Sequence, residues 1–371
     1  ADFDATSAVN ALNGLITVTA GGSLTVSDFE AAEQIDLRVR GDILQSGGEL
    51  TAEALKIYSL NGEIGASAAA PIFTNVDRLD IRSAGEVFIS ETDDVEFGRS
   101  AIVSGAENVG ETVTINVGTG TISSVNDSVI FGGDGTLVIT STGDVTLETA
   151  LSATNGDITI ATRTLADGTP IEDILLEARN GRVSITATAG VGAAGVADID
   201  IASDEITTTS ETGDVVLELR DTTTVVGAGI TIGSGSGRLV VNQISGSLIL
   251  NGRVSHYGAG FIDLDVLLGS LTMTSNGRIS TISGDMNVWV KNSITLSQVS
   301  STSGKITLRS QNSSIRKLSG FGSANIVSSQ AASVFVDSIA DFTVASSSVR
   351  VNGILVHRST GQSLITIALS F

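Results

Sequence analysis

The stretch LVITSTGDVTL, residues 137–147, contains the pattern that decides the fold. It begins with two apolar residues separated by one residue. Gly143 follows, and a second apolar pair begins two residues after this glycine. Alternation within each pair indicates a half-buried β-strand, and the glycine indicates a corner between two strands. A phrase of two short strands is the unit of a solenoid when it recurs at a fixed period.

The phrase recurs along most of the chain. Further copies begin at Ile16, Leu79, Ile174, Leu239, Ile262 and Met286. In the last copy Asn292 replaces the glycine, and we predict that both residue types form corners because both tolerate the left-handed conformation. The sequence therefore predicts an all-β fold, a parallel β-helix (β-solenoid) of about 16 coils with ~20–24 residues each. We expect a single continuous solenoid over residues 1–371, with no linker that would divide it.

Composition favours this solenoid over tandem immunoglobulin-like sandwiches. The chain has seven Asn-Gly pairs, which are also a strong hairpin signal. Immunoglobulin-like domains, however, normally carry a core tryptophan, a corner tyrosine and frequent prolines. This chain has one Trp, two Tyr and two Pro among 371 residues, with 42 Gly and no Cys. We therefore predict a narrow core of Val, Ile, Leu and Ala.

Charge is distributed unevenly along the chain. Residues 1–250 hold 36 acidic and 11 basic side chains, a net charge of −25, whereas residues 251–371 hold 5 acidic and 9 basic, a net charge of +4. This acidity argues against a nucleic-acid partner, because phosphate binding needs clustered Lys and Arg. No apolar run approaches the ~18 residues of a membrane-spanning helix, so we expect no membrane insertion. The asymmetry favours head-to-tail association of copies of the chain.

No catalytic motif stands out, and we predict that the chain is not an enzyme and needs no cofactor. Two pairs of carboxylates nevertheless alternate along predicted strands, Asp198 with Asp200 and Asp263 with Asp265. Each pair would lie ~6.5–7 Å apart on the outer face, a separation that an inverting glycosidase could use. Polysaccharide binding or cleavage is therefore an alternative function, although the scarcity of aromatic residues argues against it.

Calcium is a second open possibility. Acidic side chains crowd two predicted loops, and oxygen ligands at such spacings can bind Ca²⁺. The candidate ligands are Asp93, Asp94, Asp198 and Asp200. A calcium-dependent adhesin segment is thus a third interpretation.

The last residues of the chain form an apolar, alternating strand. An uncovered strand of this kind tends to pair with another chain, and the first residues of the next copy could complement it. We predict an assembly interface that comprises Phe3, Leu364, Ile365, Ile367, Leu369 and Phe371.

Residues 141–147 and 154–160 resemble the secreted β-helical solenoids of the filamentous-haemagglutinin type and the long repetitive surface proteins of Gram-negative bacteria. The motifs of that family's N-terminal secretion domain are not evident in this sequence. The resemblance implies a right-handed parallel β-helix that is extracellular, displayed at the bacterial cell surface and used for adhesion or for building fibres. The expected partners are further copies of the chain or a surface glycan or receptor. Because the sequence begins at Ala1 without Met, we expect a processed or excised part of a secreted chain.

Overall fold

Parallel strands stack turn upon turn in the described part of the chain. The computed structural model describes residues 2–97, 103–104, 113–117, 122–124, 130–131, 135–147, 150–153, 155–168, 176–192, 198–319, 326–328, 334–338, 342–343, 349–351, 353–359 and 365–369. These residues form no helix, and the fold is a parallel β-solenoid of about 12 turns, which confirms the predicted fold class. Two compact units are present, Ala1–Ser184 and Ile185–Phe371, and each is described by itself.

Short strands make up the first unit. In chain order, β1 to β19 are Phe3–Asp4, Val9–Ala11, Leu15–Ala20, Leu24–Val26, Phe29–Ala31, Gln34–Val39, Ile43–Gln45, Leu50–Ser59, Ile72–Ser83, Val87–Glu91, Val95–Phe97, Val103–Ser104, Val113–Val117, Ile122–Ser124, Ile130–Phe131, Leu137–Ser141, Asp144–Leu147, Leu151–Ser152 and Ile158–Asp167, and β20, Leu176–Val191, contains the boundary between the units.

A ladder of four strands illustrates the stacking in this unit. β3 pairs in parallel with β6, β6 with β8 and β8 with β9, so that Ile16, Ile35, Leu55 and Leu79 form one column. All four side chains are buried. The alternation in the sequence thus sends one face of each strand into an aliphatic core and the other face outward, because successive side chains of a strand point in opposite directions.

The second unit has the same organisation. In chain order, β21 to β40 are Ile199–Ser210, Val215–Arg220, Thr223–Ile232, Leu239–Gln243, Leu248–Leu250, Arg253–His256, Ile262–Val266, Leu271–Met273, Arg278–Thr281, Met286–Val290, Ile294–Leu296, Gln298–Ser301, Ile306–Ser310, Ile315–Lys317, Ile326–Ser328, Val334–Ser338, Phe342–Thr343, Val349–Val351, Gly353–Ser359 and Ile365–Leu369.

Turns differ in length more than the sequence suggested. Leu24 is in register with Ile43, 19 residues later, whereas Ile306 is in register with Val334, 28 residues later. Some turns therefore use more residues than the predicted ~20–24, because the connections between strands vary in length. The structure consequently has about 12 turns instead of the predicted 16.

Backbone proximity explains most of the corner glycines. Gly246 has a φ of 72°, as predicted for a left-handed corner. Gly269, stacked on it, has no positive φ, but a Cβ there would lie 1.7 Å from the carbonyl oxygen of Gly246. The left-handed prediction was wrong for Asn292, because Asp221 is the only residue other than glycine with a positive φ in the described ranges. Asn292 still occupies the corner, where its backbone N–H donates to the Gly269 carbonyl.

Buried hydroxyl groups close several corners of the first unit. The Ser59 hydroxyl donates to the Gly41 carbonyl over 2.7 Å, and the Ser83 hydroxyl donates to the Gly62 carbonyl over 2.9 Å. Both serines are buried. A buried carbonyl without a partner is costly, so these hydroxyls stabilise the approach of one glycine corner to the next.

Candidate ligand-binding surface

One outward column of side chains crosses the second unit. β21, β22, β24, β27, β30, β33 and β36 pair in parallel in this order. The register aligns Asp200, Glu218, Asn242, Asp265, Trp289, Arg309 and Asp337. Neighbouring members are ~4.8 Å apart along the stack. Acidic, aromatic and basic side chains therefore lie close together although they are far apart in sequence.

Two carboxylates of β27 lie on this face. Asp263 and Asp265 are two residues apart on one strand and are both half-buried. Neither carboxylate has a hydrogen-bond or ion-pair partner among the residues that the structure describes. Burial raises the pKa of Asp263, and burial together with the charge of Asp263 raises the pKa of Asp265 to about 6. An uncompensated pair of this kind costs folding free energy and often marks a functional site.

Aromatic side chains flank the carboxylates. Trp289 lies on β30 in register with Asp265. Phe335 of β36 lies in the neighbouring column, which also contains Asp263, Asn287 and Thr307. These residues line an open groove of about 380 Å³. The groove thus combines apolar ring faces with hydrogen-bonding groups, the usual composition of a ligand site.

Cations complete the groove on its C-terminal side. Arg309, in register with Trp289, forms an ion pair of 3.2 Å with Asp337. Lys305 also lines the groove, and its ammonium group has no ion-pair partner among the described residues. The electrostatic potential of the groove therefore changes sign between β27 and β33. A ligand here can donate hydrogen bonds to the aspartates and accept them from Lys305.

The sequence identified the aspartate pair but missed its surroundings. The sequence interpretation counted aromatic residues over the whole chain and judged them too scarce for a carbohydrate site. The structure places the single Trp of the chain directly beside Asp265. The signal was present, since the copies of the phrase that begin at Ile262 and Met286 align Asp265 with Trp289 when they are superposed.

Asp198 and Asp200, predicted as calcium ligands, lie beside an arginine. The Arg220 guanidinium donates to Asp200 over 3.3 Å and to Glu218 over 3.0 Å. Burial, the neighbouring Glu218 and the charge of Asp198 outweigh Arg220 and raise the pKa of Asp200 to about 7. Asp93 and Asp94 are exposed in the segment between β10 and β11. Within the described ranges, no three or more His, Cys, Asp or Glu side chains form a group that could hold a metal ion.

The predicted assembly residues lie on two terminal strands. Phe3 lies on β1, which pairs with β4, and half of its surface is exposed. Ile365, Ile367 and Leu369 lie on β40, which pairs with β39 in an antiparallel manner, unlike the parallel ladders of the solenoid. Leu364 and Phe371 lie outside the described residues.

The first strands of the chain form an open edge. Among the described strands, β1, β2 and β3 each have one ladder partner, namely β4, β5 and β6. Large apolar side chains are exposed there, and they are Phe3, Val9, Leu12 and Leu15. Unpaired backbone groups next to apolar side chains favour the docking of another β-structure.

Comparisons with known proteins give no relative. No protein-family model, no curated protein and no solved structure matches this chain. In the described ranges, no helix is long and apolar enough to cross a membrane. The fold alone places the chain among the β-solenoid repeat proteins.

Proposed function

We propose that this chain is an extracellular structural and adhesive β-solenoid that builds fibres at a bacterial cell surface. The observation that carries the proposal is the open edge of the first unit, defined by β1, β2 and β3. Its backbone groups and its exposed apolar side chains, including Phe3 and Leu15, suit the addition of a further strand from another copy. The resemblance to haemagglutinin-type solenoids supports the same function.

The mechanism of such a fibre is mechanical. Parallel ladders join each turn to the next through backbone hydrogen bonds, and an aliphatic core fills the interior of each unit. Repeat proteins of this kind derive their stability from intrinsic terms and nearest-neighbour interfaces. Docking at the open edge extends the same interactions from one copy to the next.

Negative-stain electron microscopy across protein concentration tests this proposal. We expect filaments that grow with concentration, and we expect the double variant Val9→Lys/Leu15→Lys to remain dispersed, because lysine on an edge strand opposes pairing. Leu268→Lys/Ile282→Lys, at exposed apolar positions of the second unit, is the matched control and should still assemble. Samples with and without millimolar Ca²⁺ separate a calcium-dependent adhesin from a calcium-independent fibre. Dispersed wild-type protein at all concentrations, or equal loss of filaments in both double variants, would contradict the proposal.

A second candidate function is polysaccharide binding, favoured by the groove of the second unit. The indole face of Trp289 can pack against the apolar face of a sugar ring, while Asp263 and Asp265 accept hydrogen bonds from hydroxyl groups. The residues of the groove lie on a stack of rigid strands, so that they are positioned before a ligand arrives.

Affinity electrophoresis against a panel of polysaccharides measures this activity. We expect Trp289→Ala to abolish the retardation of the protein, because the variant removes the stacking surface and leaves the ladder intact. Tyr257→Ala, which removes another partly exposed aromatic side chain of the same unit, should bind like the wild type. New reducing ends in the same samples, lost in Asp265→Asn, would assign cleavage in addition to binding. Retardation that persists in Trp289→Ala would exclude this groove.

A further inference from the structure

A second groove lies on the outer face of the first unit. The register of β3, β6, β8 and β9 aligns Thr19, Arg38, Tyr58 and Arg82 in one outward column. These residues, together with Arg40 and Leu60, line an open groove of about 380 Å³. The lining contains three arginines and no acidic residue. This composition is unexpected in residues 1–250, whose net charge is −25.

Arg38 and Tyr58 form the fixed floor of the groove. The Arg38 guanidinium donates two hydrogen bonds to the Asp36 carboxylate, over 2.8 and 2.9 Å. It also lies over the Tyr58 ring, 5.2 Å from the ring centroid. A bidentate ion pair and a cation–π contact hold the two planar groups together. The groove therefore presents an ordered aromatic surface without waiting for a ligand.

Arg40 and Arg82 are the cations that have no partner. Both side chains are exposed, and neither guanidinium has an ion pair or hydrogen bond among the described residues. Other arginines of this unit, such as Arg163 and Arg179, form ion pairs with neighbouring carboxylates. Arg40 and Arg82 thus retain their full hydrogen-bonding capacity toward an anion.

We propose that this groove binds an acidic polysaccharide, a linear sugar polymer that carries carboxylate or sulfate groups. Arg38 and Arg82 are two turns apart in one column, so the groove offers positive charges ~10 Å apart along its length. The planar guanidinium groups match the geometry of carboxylate and sulfate oxygens, and the Tyr58 ring supplies a flat surface for a sugar ring. The site is independent of the groove that contains Trp289.

Binding to immobilised polymers tests the proposal on the whole chain. The probes are polygalacturonate, dextran sulfate and uncharged dextran, and the variants are Arg40→Gln/Arg82→Gln and a control, Arg163→Gln/Arg179→Gln, which removes the same net charge from the same unit. We expect the wild type and the control to bind a charged polymer and to ignore dextran. The groove variant should bind at least about tenfold more weakly, because it loses two charge-assisted contacts.

The two charged probes identify the source of the anionic group. Stronger binding of polygalacturonate assigns a uronate polymer, and stronger binding of dextran sulfate assigns a sulfated one. Equal loss of affinity in both double variants would overturn the proposal, because it would show only a general effect of net charge. Absence of binding to either charged polymer, or affinity in the groove variant within about twofold of the wild type, would overturn it as well.

Discussion

At the scale of single residues, the groups without partners are the informative ones. Buried polar groups such as Ser59 and Ser83 are satisfied by backbone carbonyls, and most arginines of the first unit have carboxylate partners. Asp263, Asp265, Arg40 and Arg82 lack such partners among the described residues. Because charges without partners do not help the fold, we attribute them to ligand recognition.

Asp265 gives the clearest pH prediction. Its pKa in the folded chain is about 6, raised by burial and by Asp263, whereas an unfolded aspartate titrates near pH ~4. Between these values the folded state binds a proton that the unfolded state does not, so stability decreases as pH rises from ~4 to ~6. We expect Asp265→Asn to be more stable than the wild type at pH 7, by about 1 kcal/mol after solvent screening, and equally stable near pH ~3.5.

Thermal unfolding followed by circular dichroism at both pH values measures the effect. Asp77→Asn, at an exposed position of the first unit, is the control and should leave the melting temperature unchanged. An Asp265→Asn variant that melts at the wild-type temperature at pH 7, or below it, would show that the carboxylate is compensated.

At the scale of elements, the corners between strands set the tightest constraints. Along one corner Gly246, Gly269 and Asn292 stack in successive turns, and the backbones of Gly246 and Gly269 approach too closely for a side chain. The sequence predicted the corner positions correctly. It assigned the wrong reason to Gly269, because the distance to the preceding turn is a property of the stacked structure and cannot be derived from one phrase.

Gly269→Ala tests this constraint. A Cβ at this position would lie 1.7 Å from the Gly246 carbonyl oxygen, so the two turns would have to separate. We expect a loss of about 2–4 kcal/mol in the free energy of unfolding, measured by urea denaturation. Gly21→Ala is the matched control, because nothing lies within 4 Å of its added Cβ, and it should change stability by less than ~0.5 kcal/mol. Equal stability of the two variants would mean that the corner is loosely packed.

At the scale of the whole molecule, charge and the open edge both bear on association. The net charge of −21 opposes the approach of two copies, whereas the exposed apolar edge that contains Phe3 and Leu15 favours it. Added salt screens repulsion between exposed charges within about 10 Å at 0.1 M. Filaments that form more readily at higher ionic strength therefore indicate edge docking, whereas filaments that dissolve indicate attraction between acidic and basic parts of the chain.

The sequence by itself determined the fold class, the alternation of core and surface residues and the positions of the corners. These features are local, because strand periodicity and turn chemistry are carried by a few neighbouring residues. Only the tertiary structure decided which outward side chains become neighbours. Asp265 meets Trp289, and Arg38 meets Tyr58, because parallel stacking places residues one turn apart side by side. The lengths of the turns fix this register, and those lengths vary from 19 to 28 residues. Each ligand groove is therefore a product of register, which no single phrase of the sequence contains.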